Sequence, residues 1–281
     1  MILIALNEGH NMEAVLENLA GWAQEVFLVD SYSQDETVDI ALRHGVHVVQ
    51  RRFRGFGDQW NFALKQLPIQ APWTLKLDPD ERLTADLKDE ICRATQREEA
   101  DGYLVPIRLH FMTRALPVRL RLTRLWRTGR ASFSAVAANE HARVNGYIES
   151  LAHDIEHHDS PDLHHWLEKQ NNYTTAEAIN SAGSQCFSDA PVLSGTRLQR
   201  RLWLKKHFMK LPGRYALLFM YHYLWLGAWR AGRVGYMWSR LRADVYRLWE
   251  YKLREIQLTG RLPQPRPRGP GAPDRRVESY D

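Results

Sequence analysis

Residues 73–83 read WTLKLDPDERL, in which an apolar, strand-like run ends in three carboxylates, those of Asp78, Asp80 and Glu81. A proline separates the two aspartates, which stops the strand from pairing onward and holds the acids where the chain turns. Two such carboxylates can share a divalent cation, because this kind of ion prefers oxygen ligands and leaves positions for the phosphates of a nucleotide. The alternative is a solvated turn whose acids cap a helix beginning near Thr84.

The first hundred residues alternate between strand-like and helix-like runs. The strand-like runs are ILIAL, EVFLVD, VHVVQ and WTLKLD, and the helix-like runs are MEAVLENLAGWA, ETVDIALRHG and FGDQWNFALKQL. Apolar residues recur every three or four positions in the second group, as they do in amphipathic helices. The series predicts an α/β fold with a mostly parallel, Rossmann-like sheet and helices on both of its faces.

Polar residues follow three of the predicted strands, namely Asn7 with Glu8, Asp30, and Asp78 with Asp80. Ligands of open α/β sheets bind at the carboxyl ends of the strands, so we expect these side chains to converge on one edge. Asp30 begins a polar loop and is suited to hydrogen bonds with a base or a ribose. A role as a helix N-cap is the alternative for Asp30.

Composition limits the class of protein. The chain has 281 residues, of which 44% are hydrophobic and 25% charged, so it can form one large domain with an appendage and is not a disordered chain. Its two cysteines, Cys92 and Cys186, form no CxxC pattern and favour a reducing compartment over a disulfide framework or a zinc knuckle. No signal peptide is visible after Met1. We therefore expect the chain to stay in the cytoplasm.

The order and spacing of these segments resemble those of family 2 glycosyltransferases with the GT-A fold. The resemblance is carried by ALNE, VDSYSQDET, GFGDQWNFAL and LKLDPDERL, and then by LWR, NEH, IEHHDSPDL and KQNNYTTAEA. The chain is most similar to the bacterial lipopolysaccharide-core and exopolysaccharide transferases, whose acidic motif ends in DE. It departs from the family pattern in its short first strand and in NEH, which replaces the usual VHE.

The resemblance implies roles for individual residues. Glu140, in AANEHARVNG, would be the catalytic base that accepts the proton of the acceptor hydroxyl. Asp80 would be the main contact of a Mg²⁺ or Mn²⁺ ion and of the diphosphate. His157 or His158, with His157 preferred, would be a second metal ligand or a charge partner. The nucleotide of the donor would be lined by Ala5, Asn7, Glu8, Asp30, Gln59, Asn61, Lys76 and Asp78.

Two further groups of residues need a choice between alternatives. Five histidines between positions 153 and 165 would suit a zinc site, but we discount it because no cysteine joins them and Pro161 interrupts the run. Arg121, Arg124 and Arg127 alternate with apolar residues in a strand-like segment. They would either bind a phosphorylated acceptor or the diphosphate, or lie on a half-exposed strand edge.

The segment from Arg197 to Arg254 carries fourteen Lys and Arg residues against Asp244 and Glu250. It contains the apolar run YALLFMYHYLWLGAW at 215–229, which is shorter than the roughly 20 residues that a bilayer span needs. Tryptophans among the basic residues suit a membrane surface instead. The alternatives are a helical hairpin packed on the rest of the protein and, less favoured because of the acidic sheet edge, a nucleic-acid surface.

These observations predict three regions: a GT-A catalytic domain at 1–190, an amphipathic, basic-aromatic helical segment at 191–258, and a disordered tail at 259–281. The predicted function is an inverting, metal-dependent glycosyltransferase that uses a nucleotide-diphosphate sugar. We expect its acceptor to be a lipopolysaccharide core or a lipid-linked saccharide, at the inner face of the cell membrane, with no nucleic-acid partner. The alternatives are a sugar nucleotidylyltransferase and a non-catalytic membrane-surface scaffold.

Overall fold

The computed structural model describes residues 1–97, 99–133, 141–183 and 192–263. The described strands are β1 Ile2–Ala5, β2 Phe27–Asp30, β3 His47–Gln50, β4 Trp73–Leu75, β5 Glu81–Leu83, β6 Gly102–Phe111, β7 Arg114–Arg127, β8 Ala131–Phe133, β9 Ala142–Val144, β10 Ile148–Ser150 and β11 Ile155–His158. The described α-helices are α1 Gly9–Leu19, α2 Thr37–Arg43, α3 Phe56–Gln66, α4 Ala85–Arg97, α5 Leu163–Ala182, α6 Arg197–His207, α7 Arg214–Met220 and α8 Gly232–Thr259.

The chain divides into two compact units. The first comprises Met1–Arg108 and Arg119–His157, and the second comprises Leu109–Val118 and 158–263. The tips of β6 and β7 therefore belong to the second unit, together with all helices from α5 onward. The region boundaries predicted at residues 190 and 258 stay predictions, and most of the predicted tail lies outside the described residues.

The first unit is built on two main groups of strands, and β8 and β9 form a separate two-stranded pair. Strands β1, β2 and β3 are parallel, with Ile2 opposite Phe27 and Phe27 opposite His47. The larger sheet has the order β4-β7-β6-β11-β5, and β10 pairs with β6. A single parallel bridge between Ile2 and Lys76 connects the two groups. The carboxyl ends of β1, β2 and β4 consequently lie at the same edge.

Helices cover both faces of the sheet formed by β1, β2 and β3. The evidence is that successive residues of β1 alternate between two apolar clusters, each of which contains helix residues. Leu3 and Ala5 pack in a cluster with residues of α1, α2 and α4. Ile2 and Ile4 pack in another cluster with Trp60 of α3. Alternation of this kind is what a strand buried on both sides requires, and it explains why the sequence of β1 is apolar throughout.

The expected α/β fold, with a central sheet and helices, is confirmed, but "mostly parallel" is too simple a description. Strands β4 and β7 are antiparallel, as are β5 and β11, and β8 and β9. The stretch between β7 and α5 contains four further strands, β8 to β11. Pro79 also does not end strand pairing, because the chain pairs again as β5 directly after the acidic turn.

The second unit is helical. Helix α8 is 28 residues long and packs along α5, where Lys252 donates hydrogen bonds to Asn171, Thr174 and Thr175. Helix α7 continues into a π-helical turn at Tyr221–Trp225. None of the helices in the described part of the chain is both long enough and apolar enough to cross a membrane.

Candidate functional site

The acidic turn between β4 and β5 is bound by two positive side chains of the protein, Arg124 and Lys76. Arg124 of β7 donates from Nη2 to Asp78 Oδ2 at 2.9 Å and to Glu81 Oε1 at 2.5 Å. Lys76 Nζ lies 3.1 Å from Asp78 Oδ1. The backbone N–H of Asp78 also donates to Glu81 Oε2 at 2.9 Å. Two of the three carboxylates are thus engaged by positive side chains of the protein itself.

The surroundings of the turn shift the pKa values of Asp78 and Glu81 in opposite directions. Burial would raise the pKa of Asp78, but the charges of Arg124 and Lys76 outweigh it and hold that pKa below its usual range. Burial raises the pKa of Glu81 to about 7, because it outweighs the attraction to Arg124. Asp78 is therefore the permanently charged member of this pair at neutral pH.

Arg124 is the site residue whose role the sequence left open. Its side chain is only 5% exposed, so it is not the half-exposed edge residue of the blander interpretation. The sequence held one weak indication that Arg124 is buried, namely the apolar residues Leu125 and Trp126 that follow it. Both are buried in the structure. What places it is strand pairing: Leu125 lies opposite Leu75, and the Lys76 N–H donates to the Arg124 carbonyl at 2.8 Å.

Asp80 is positioned differently from Asp78. Strand β11 runs antiparallel to β5 with His157 opposite Glu81, which brings His157 Nε2 to 3.1 Å from Asp80 Oδ2. The predicted metal ligands, Asp80 and His157, are therefore neighbours in the structure. They are among the described residues that could hold a metal ion.

A Mg²⁺ or Mn²⁺ ion fits this donor set. Mg²⁺ is commonly bound through one or two carboxylates together with substrate phosphates, which complete its coordination. Asp80, which is largely buried, supplies a carboxylate, and the partly exposed His157 supplies an imidazole. Asp78 is less available to a metal because Lys76 and Arg124 already bind both of its oxygens.

The loops after β1 and β2 are joined by hydrogen bonds. Asn7 N–H donates to Ser33 Oγ at 2.8 Å, and Asn7 Oδ1 accepts from Gln34 N–H at 2.8 Å. Glu8 N–H donates to Thr37 Oγ1 at 2.8 Å. Asn7, Glu8 and Asp30 are thus brought together at one edge, as the sequence predicted.

Asp30 is fully buried. Its carboxylate accepts hydrogen bonds from the N–H and hydroxyl of Ser33 and from Gln50 Nε2. It therefore organises the loop after β2, and its predicted contact with a base or ribose stays a prediction.

The remaining predicted donor residues lie around α3 and the strand ends. Ala5 is buried at the end of β1, and Lys76 Nζ lies 4.3 Å from the centre of the Trp60 ring. Gln59 is buried and donates to Ser31 Oγ at 3.3 Å. Asn61 exchanges hydrogen bonds with the backbone of Phe133, so its amide fastens α3 to β8. Glu140 lies outside the described residues.

Comparison with known proteins identifies the family. The model of glycosyl transferase family 2 matches residues 1–152. This chain belongs to glycosyltransferase family 2. An uncharacterized glycosyltransferase of Rickettsia bellii is 30% identical over 193 residues, and RP128 of Rickettsia prowazekii is 28% identical over 193 residues. Each alignment covers 63% of this chain and 65% of the relative, which is less than two thirds of the relative's length.

A solved structure shows the fold. The mannosyltransferase PcManGT of Pyrobaculum calidifontis, solved with GDP-Man and Mn²⁺, aligns with a TM-score of 0.52 and 15% identity. The alignment covers 90% of this chain and 86% of that one. The predicted family and GT-A-like fold are confirmed, whereas the lipopolysaccharide and exopolysaccharide subgroup stays a prediction.

We expect Arg124→Met to lower the free energy of unfolding by about 3–5 kcal/mol, because it leaves Asp78 and Glu81 without their shared cation. Arg121→Met is the matched control, since Arg121 is exposed and should cost less than about 0.5 kcal/mol. Adding Glu81→Met to the Arg124→Met variant should recover part of the loss. Urea unfolding measures all three variants, and equal stabilities of the Arg121 and Arg124 variants would contradict the role of Arg124.

Proposed function

We propose that this protein is an inverting, metal-dependent glycosyltransferase. It moves a sugar from a nucleoside-diphosphate donor to a saccharide acceptor that is part of a lipopolysaccharide core or is lipid-linked. Membership of family 2 supports the reaction class. The observation that carries the proposal is the Asp80–His157 pair. It stands in the same turn as Asp78 and Glu81, two carboxylates that Lys76 and Arg124 already bind.

The donor would bind with its nucleoside at the loops after β1 and β2 and its diphosphate at the acidic turn. Asp80 and His157 would hold the Mg²⁺ or Mn²⁺ ion. When bound, this ion offsets the negative charge that develops on the departing diphosphate. Asp78, whose position Lys76 and Arg124 fix, would contact the ribose from within the same turn.

Transfer with inversion needs one base on the acceptor side. The acceptor hydroxyl oxygen forms a bond to the anomeric carbon while the bond from that carbon to the diphosphate oxygen breaks. The carboxylate of Glu140 would take the hydroxyl proton. Asp154 is less suited to this task, because Arg119 donates to both of its oxygens at 2.8 and 3.0 Å.

The Asp80→Ala variant tests the metal site. It should lose at least about a hundredfold in transfer and should lose Mn²⁺-dependent donor binding, because the main carboxylate ligand is gone. Asp89→Ala, which removes an exposed acid of α4, is the control and should behave like the wild type. Donor titration with and without Mn²⁺, together with a turnover assay, measures both effects. Near wild-type turnover in the Asp80 variant would exclude the proposed metal site.

The Glu140→Gln variant tests the base. It should keep its donor affinity but lose transfer by about 10²–10⁴, the usual effect of removing a general base. Donor affinity and turnover are measured on the same preparation. If donor affinity falls together with turnover, Glu140 belongs to the nucleotide site, and Glu156 becomes the next candidate for the base.

We also propose that the second unit holds the enzyme on the inner face of the membrane. Support comes from an outer stripe on α7 and the π-helical turn, whose apolar members are spaced three or four residues apart and are all exposed: Leu217, Met220, Tyr221, Leu224 and Trp225. A water-soluble helix normally buries such a stripe, and Trp225 is 82% exposed. The fourteen Lys and Arg residues of 197–254 add attraction to anionic lipid, worth about 1 kcal/mol for each residue near the surface.

Liposome flotation tests this placement. The protein should float with vesicles that contain anionic lipid and should be partly released by high salt, because salt screens charge attraction but not apolar insertion. Trp225→Ser of the stripe, combined with Trp229→Ser on the exposed turn that directly follows it, should weaken binding further. Leu258→Ser is the control, since Leu258 is 86% exposed but lies outside the stripe. Equal binding to neutral and anionic vesicles would contradict the electrostatic contribution, and no binding would contradict the whole placement.

A further inference from the structure

Tyr32 has an unusual backbone conformation. Of the four described non-glycine residues with positive φ, Met112 and Thr113 form the turn between β6 and β7. The other two, Asn7 with φ 56° and Tyr32 with φ 59°, lie in the joined loops after β1 and β2. A bulky side chain in this left-handed region is a true outlier, and strain of this kind is concentrated at functional sites.

The two residues differ in what their side chains do. Asn7 tolerates the left-handed conformation and uses its side chain, which accepts the Gln34 N–H. Tyr32 is 40% exposed, and no hydrogen bond or ring contact of its side chain occurs with any residue in the described ranges. A glycine would adopt this backbone conformation at a lower cost, so the positive φ gives no local reason for a tyrosine at this position.

The loop that carries Tyr32 is rigidly held. Ser31, which precedes it, is buried and accepts a hydrogen bond from Gln59. Ser33, which follows it, is bound to the buried Asp30 through both its N–H and its hydroxyl. The ring is therefore presented from a fixed backbone, immediately beside the residues that the proposed function assigns to the nucleoside.

We infer that Tyr32 is a donor-binding residue whose ring stacks on the base of the nucleoside diphosphate. The inference rests on the proposed function and adds a residue to its nucleotide site. Because the Asp30 carboxylate already accepts hydrogen bonds from Ser33 and Gln50, a ring on the same loop offers the base a different kind of contact at this edge. An aromatic ring stacks on any base and loses little conformational freedom when it does so, since it has only two rotatable bonds.

The experiment measures nucleotide affinity and stability in the same variants. UDP, GDP, CDP and dTDP are titrated with Mn²⁺ into the wild type, and the nucleotide that binds tightest is then used for Tyr32→Gly, Tyr32→Phe and the control Tyr147→Ala. Tyr147 is a highly exposed tyrosine between β9 and β10. Tyr32→Gly should bind at least about fivefold more weakly, the lower end of what losing one stacked aromatic costs. Its Tm without nucleotide should equal or exceed that of the wild type, because the strained residue is gone.

Tyr32→Phe should keep the affinity within about twofold, because stacking needs the ring and not the hydroxyl. Equal affinity of Tyr32→Gly and the wild type would overturn the inference while leaving the proposed function intact. A lower Tm that accompanies the lost affinity would also overturn it, because the tyrosine would then be a structural residue. Failure of all four nucleotides to bind the wild type would instead overturn the proposed function, and the inference with it.

Discussion

The pairing of Arg124 with Asp78 and Glu81 is the interaction on which the acidic turn depends. Three carboxylates occur within four residues there. Two of them, those of Asp78 and Glu81, accept hydrogen bonds from the guanidinium of Arg124. An isolated buried carboxylate is costly, so a turn of this composition needs a cation that is always present. Arginine is suited to this position because it stays charged at any physiological pH and its planar group can serve two acceptors. The turn therefore has a neutralising charge before any ligand arrives.

This arrangement divides the acids between two tasks. Asp78 and Glu81 face Arg124 and stabilise the turn, whereas Asp80 lies next to His157 across the β5–β11 pair. The sequence suggested that two of these carboxylates share a divalent cation, and the structure shows that Lys76 and Arg124 already supply positive charge to Asp78. A metal in the proposed function would accordingly serve the diphosphate, and the turn would not require it in order to fold.

The sequence predicted those features that depend on local pattern. Apolar runs separated by amphipathic segments were enough to place β1, β2 and α3, and polar strand ends were enough to bring Asn7 near Asp30. Arg124 could not be assigned in this way, because its role follows from the register in which β7 meets β4. Shifting that register by one residue would turn Arg124 to the other face of the sheet. The left-handed conformation of Tyr32 was likewise invisible, since nothing in its residue type favours positive φ.

The exposed stripe of the second unit faces outward because the opposite side of the same π-helical turn is packed against α8. His222 lies inside the π-helical turn, is buried, and meets the Trp238 ring of α8 edge to face at 5.2 Å. Burial and the nearby Arg242 lower the pKa of His222 to about 4, so this side chain is neutral at physiological pH and can face the apolar interior. Tyr221 and Trp225 stand on the outer side of the same turn. Because a packed aromatic pair fixes the inner side, the apolar outer side is a stable feature of the folded unit and does not arise from a loosely attached helix.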